Sequence, residues 1–261
     1  MAVDIFKLDA ALFTAWLLIA SRVIGLLGTM PLIGERTVPW QVKAGVSAVT
    51  AYLLLPLAHQ SKVVPPSSLF ALGLAVSQEL LVGIFIGYLA RLLFGAFQFA
   101  VNAIDFQTGL SFMQVLSPGV SANLSVLGQF LNTLMLLLFL ELDGHHLLLR
   151  TLVKTISAVP LGVAMPSAEM AQGVISLFSV FVAVSFQIAM PTILVLLLMD
   201  LAMGVIGRVV PQLNVFMVAL PVKIVVGLVT LSMTLPALSH LLGNLLKLLE
   251  GDVTKLVGMM R

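Results

Sequence analysis

The chain has 261 residues, of which 60% are hydrophobic and only 9% charged, with a mean hydropathy of +1.16. Soluble domains carry roughly 25% charged residues, so this composition excludes a water-soluble fold and points to an integral membrane protein or a subunit of an equally apolar assembly. A net charge of +2 from 13 basic and 11 acidic residues leaves no basic footprint for nucleic acid, and the lack of cysteine excludes disulfides and thiolate metal sites.

The first ten residues carry Asp4, Lys7 and Asp9. They match poorly the basic start and small-residue cleavage site of a signal peptide, so the first apolar run, residues 10–33, is expected to remain as a span. About 20 apolar residues cross a bilayer core. Arg22 stands in the middle of that run, where a charge facing lipid costs on the order of 3 kcal/mol. It must face protein or water, and an acid on a neighbouring helix is its expected partner. Pro39 opens the second span, residues 41–58, because a missing N–H costs nothing at a helix start. A polar turn with Pro65 and Pro66 follows.

From Leu69 the apolar pattern runs without a breaker to residue 104. As helix this is about 54 Å, well beyond the roughly 30 Å hydrocarbon layer. The segment either folds back as a helical hairpin or extends as one long helix out of the bilayer. Glu79 and Arg91 interrupt it, and Gly73, Gly83, Gly87 and Gly95 share one face. Gly83 and Gly87 form a GxxxG pair, which lets two backbones approach closely.

Residues 105–123, DFQTGLSFMQVLSPGVSAN, contain no Lys or Arg and are expected to form a loop. Gly109, Pro118 and Gly119 punctuate it, and Leu110, Phe112, Met113, Val115 and Leu116 make an apolar patch. A solvated loop would not carry so much apolar surface, so a packed environment is expected.

Another span covers residues 124–142 and ends at Asp143 and Gly144, a turn with the glycine as cap. His145, His146 and a short amphipathic helix with Arg150 and Lys154 follow. Adjacent histidines are expected to point apart, with no third ligand nearby in sequence, so no metal centre is expected. Residues 169–206 form a second overlong run, expected to break at Pro191 and carrying Asp200. Arg208, Pro211, Gln212 and Asn214 mark the next connection. The last span is residues 217–235, and the tail, 236–261, sets leucines opposite Lys247, Glu250, Asp252 and Lys255 in an amphipathic helix.

Glu79 and Asp200 are the deep carboxylates, and pairing with Arg22, Arg91 or Arg208 accounts for them more simply than a proton relay. No GxSxG, HExxH or phosphate-binding glycine loop occurs, so the chain is expected to be no enzyme and to use no cofactor. A secondary transporter for a small solute is the rival reading, with a helix broken at Pro191 and Asp200 and Arg22 binding substrate.

Four stretches carry a resemblance: MPLIGERTVP at 30–39 with Lys43, QTGLSF at 107–112 leading to Pro118 and Gly119, FLELDGH at 139–145, and RVVPQLNVF at 208–216. Taken in order through nearly the whole chain, they resemble the FliR family, the flagellar biosynthetic branch of the type III secretion export gate. Injectisome relatives share the pattern. The resemblance implies an all-α, membrane-associated bundle of long bent helical hairpins, a single domain over 1–261, within a hetero-oligomeric cone. It implies FliP and FliQ as partners, FlhA and FlhB as neighbours, unfolded flagellar proteins as cargo, and a place in the inner membrane at the flagellar basal body. Gly109, Leu110, Ser111, Phe112, Met113, Val115, Leu116, Pro118 and Gly119 would then plug the closed pore. Arg22, Glu79, Arg91, Asp200, Arg208, Pro211, Gln212 and Asn214 would be buried or structural. Ser117 departs from the family, which often has an acid before Pro-Gly, so a role for that acid does not carry over.

Overall fold

A computed structural model describes residues 10–31, 33–34, 38–58, 68–109, 126–163, 168–212 and 214–258. Every regular element among them is a helix: α1 (Ala10–Thr29), α2 (Trp40–Ala58), α3 (Leu69–Thr108), α4 (Val126–Glu141), α5 (Gly144–Ala158), α6 (Ala168–Val209) and α7 (Val215–Gly258). The all-α expectation holds. Four helices, α1, α3, α6 and α7, are long and apolar enough to cross a membrane.

The boundaries differ from expectation in three places. First, α3 is continuous over 40 residues, so it is the long helix and not a hairpin. It also runs into the expected loop, because Asp105 is buried and the Thr108 hydroxyl bonds back to the Asp105 carbonyl at 2.9 Å. The helix ends only at Gly109, whose φ of 83° is one that a residue with a side chain rarely adopts. Second, neither Pro191 nor Pro236 breaks its helix: α6 runs 42 residues and α7 runs 44, so the tail is the continuation of the last span. A proline removes one N–H from the ladder, and the long helical flanks on both sides carry the helix across it. Third, the left-handed residue in the turn before α5 is Asp143, at φ 54°, and Gly144 already begins the helix.

The chain forms two compact units, residues 1–92, 143–177 and 246–261 in one and 93–142 and 178–245 in the other. In the first, α1 packs along α2, where the Trp16 indole N–H donates to the Ala48 carbonyl at 3.1 Å. Helix α5 buries Leu148, Leu152 and Ile156. The end of α7 buries Leu246, Leu249, Val253 and Val257 while Lys247 and Lys255 stay exposed, the helical spacing of an amphipathic tail. In the second unit, Phe94 meets Phe139 edge-on at 5.2 Å and Phe99 meets Phe186 at 5.8 Å. Leu131, Met135, Phe181, Leu196, Leu238 and Leu242 are buried there.

Apolar surface is covered unevenly. The most hydrophobic stretches of α1 and α3 are 56% and 50% buried, those of α6 and α7 only 33% and 11%. These two helices expose Leu198, Leu201, Val209, Met217, Val225 and Met233, surface that lipid or a neighbouring protein must cover.

Candidate functional site

Arg22 in α1 and Glu79 in α3 are both fully buried, and the guanidinium Nε donates to Glu79 Oε2 at 2.5 Å. Arg22 Nη1 reaches Thr155 of α5 at 3.4 Å, and the other Glu79 oxygen accepts the Gly162 backbone N–H at 2.7 Å. One ion pair thus ties α1, α3, α5 and the turn after α5. Gly162 can take its place because its φ of 81° suits a residue without Cβ. Arg22 Nη2 finds no hydrogen-bond partner among the described residues, which therefore leave the pair not fully satisfied.

The pair forms because α1 and α3 cross almost backbone to backbone. A Cβ on Gly83 would strike the Arg22 carbonyl oxygen, one on Gly87 the Thr29 hydroxyl, and one on Gly25 would lie 2.5 Å from the Leu80 carbonyl oxygen. Gly73 and Gly95, placed on the same face by the sequence, have open space beside them. The GxxxG pair therefore marks a real close crossing, and its counterpart is Gly25 with Thr29. That small-xxx-small pair is also legible in the sequence of α1.

The second unit holds a different polar cluster at the end of α3. Gln107 donates from Nε2 to Asp200 Oδ2 at 3.0 Å, and Lys223 of α7 forms an ion pair with the other Asp200 oxygen. The expected arginine partner of Asp200 is thus corrected: Lys223 takes that place, a residue that reads in sequence as a lysine at a span entrance. The Asp200 and Lys223 side chains keep 39% and 18% of their surface exposed. Nearby, a Cβ on Gly227 would meet the Thr108 methyl at 2.9 Å, and Leu220 lies against Gly109. Asp200, Gly227 and Leu220 therefore lie against Gln107, Thr108 and Gly109, the end of α3 and the first residue of the expected plug. The same unit contains an apolar cavity of about 270 Å³, lined in part by Gln187, Pro191, Thr234 and Leu238.

The remaining expected residues fall as follows. Arg91 and Arg208 are exposed, as are Pro211, Gln212 and Asn214, because no other described residue covers their faces of α3 and the α6–α7 turn. Leu110, Ser111, Phe112, Met113, Val115, Leu116, Pro118 and Gly119 lie outside the described residues. The two histidines do not point apart: their rings lie 4.2 Å from each other, and His146 Nδ1 is 2.9 Å from Asp143 Oδ1. The hydrogen bond from His146, aided by nearby positive charge, holds the exposed Asp143 carboxyl below its usual range.

A buried ion pair, a close glycine crossing and two largely uncovered apolar helices describe scaffold and surface among the described residues. The sequence model of the bacterial export proteins, family 1, matches residues 13–249. The chain belongs to this family. It is 32% identical over 239 residues to flagellar biosynthetic protein FliR of Escherichia coli (strain K12), covering 90% of this chain and 91% of that one. To the protein of the same name from Bacillus subtilis (strain 168) it is 33% identical over 242 residues, covering 91% and 92%. To that of Caulobacter vibrioides it is 32% identical over 222 residues, covering 85% and 88%. The matched span of this export-family chain includes Arg22, Glu79, Gln107, Asp200 and Lys223. With its four apolar helices of membrane-crossing length, this member of the family is a membrane protein.

Proposed function

We propose that the chain is a subunit of the flagellar type III protein export gate, assembling with FliP and FliQ subunits into the closed channel for unfolded flagellar proteins. In this reading it sits in the inner membrane at the flagellar basal body, beside FlhA and FlhB, and supplies no catalysis or cofactor. The observation that carries the reading is the family match together with apolar helices that one chain leaves uncovered: the hydrophobic stretch of α7 is 11% buried. Helices of 40 to 44 residues are about 60 to 66 Å long, twice the bilayer core, and call for neighbours beyond the lipid.

Residues 109–119 are the proposed plug. Gly109 turns the chain out of α3, and the Gln107, Asp200 and Lys223 cluster fixes the end of the helix from which the segment leaves. Leu110, Phe112, Met113, Val115 and Leu116 then supply an apolar constriction, which excludes water and ions without a chemical step. Deleting residues 110–116 in cells tests this: ion leak across the membrane should rise while the assembly still forms. Unchanged conductance in an assembled deletion variant would contradict the plug. The transporter reading has less support, since Arg22 and Asp200 are each held by another partner and α6 continues through Pro191.

A further inference from the structure

We propose that the turn entering α5 is a binding site for a divalent transition-metal ion of the zinc class, with Asp143, His145 and His146 as its protein ligands. One candidate ligand atom from each of these residues lies within 4.8 Å of the others. Three ligands within four residues converge only if the backbone turns sharply between them. Asp143 makes that turn with its left-handed φ of 54°, an unusual conformation for a residue with a side chain.

The carboxylate is not occupied as a helix cap. Asp143 stands at the N-cap position of α5, yet its side chain makes no capping hydrogen bond and is directed to His146 instead. The 2.9 Å between Asp143 Oδ1 and His146 Nδ1 is within about 0.5 Å of the roughly 3.4 Å that separates two tetrahedral ligands on an ion with bonds of about 2.1 Å. An ion can therefore replace the shared proton with little movement of either group. Asp143 and His146 are also 74% and 58% exposed, which gives the ion a way in and leaves room for water at the remaining positions.

His145 supplies the independent observation. Its Nδ1 is buried and finds no hydrogen-bond partner among the described residues. Buried polar atoms are nearly always paired, so an unpaired imidazole nitrogen calls for a reason. An ordinary surface contact between Asp143 and His146 accounts for neither that nitrogen nor the approach of the two imidazoles to 4.2 Å. Two imidazoles and one carboxylate suit zinc, cobalt or nickel, whereas magnesium and calcium select oxygen ligands.

The test uses the full chain, purified without a polyhistidine tag, stripped with chelator and titrated with Co²⁺. A visible d–d absorption band saturating at one ion per chain and displaced by Zn²⁺ is expected. His145→Gln and Asp143→Asn should each weaken Co²⁺ binding at least tenfold, while His240→Gln should leave it unchanged. No band, or a band of equal affinity in His145→Gln and Asp143→Asn, overturns the proposal. Should those variants fail to fold, the unmodified chain decides: its melting temperature should rise with Zn²⁺ and not with Mg²⁺, and no zinc-specific rise overturns the site. None of these outcomes depends on the export reading.

Discussion

Each compact unit of this chain holds an acid and a base among apolar helices, and the two pairs are built in opposite ways. Arg22 and Glu79 are fully buried and tied further to Thr155 and the Gly162 N–H. Asp200 and Lys223 remain 39% and 18% exposed and, among the described residues, tie in only Gln107, at the end of a helix. The first pair is framework: desolvated charges that must stay together, since separating them strands a charge in an apolar interior. The second is only partly covered by this chain, so its partners can separate at lower cost. Framework thus lies at the α1–α3 crossing, and an adjustable contact lies where the chain leaves α3 for the expected plug.

Breaking the fully buried pair should have the largest effect. Glu79→Ala leaves Arg22 buried and uncompensated and should cost about 3 to 5 kcal/mol, read as a large fall in melting temperature in detergent. Replacing both partners, Arg22→Met with Glu79→Met, should recover most of that loss, and a Glu79→Ala chain as stable as the original would erase the contrast. Next comes the crossing that seats the pair: Gly83→Ala should cost about 1 to 3 kcal/mol by overpacking, whereas Gly73→Ala, with open space beside it, should leave the melting temperature in place. Asp200→Asn should cost about 1 kcal/mol or less in detergent, because this chain buries the pair only in part. Its sharper readout is faster hydrogen exchange over residues 105–109, reversed by the swap Asp200→Lys with Lys223→Asp. The smallest effect is expected for exposed Arg91→Gln, within about 0.5 kcal/mol.

The sequence made most of the helices legible, because hydrophobic runs of this length have few alternatives in a membrane. It also anticipated a buried partner for Arg22, since an arginine in the middle of an apolar span needs one. Lys223 was harder to place: a lysine near the start of a span is ordinarily interfacial, and only the packing of α7 against α6 brings it to Asp200. Proline was the other weak signal. Pro191 and Pro236 each lack an N–H, but whether a helix ends or continues there depends on packing on both sides, which no local pattern records. The loop boundary was misplaced for a similar reason. Asp105 looks like the first polar residue of a loop, yet its burial keeps it inside α3, and Gly109 makes the turn.

The mass of the native particle after mild detergent extraction decides whether other subunits cover α6 and α7. If α6 and α7 expose their apolar faces in order to be covered by other subunits, the chain should be recovered in a large hetero-oligomer containing FliP and FliQ, with little stable free monomer. A well-behaved, monodisperse single chain of 27.8 kDa, stable without partners, would contradict it.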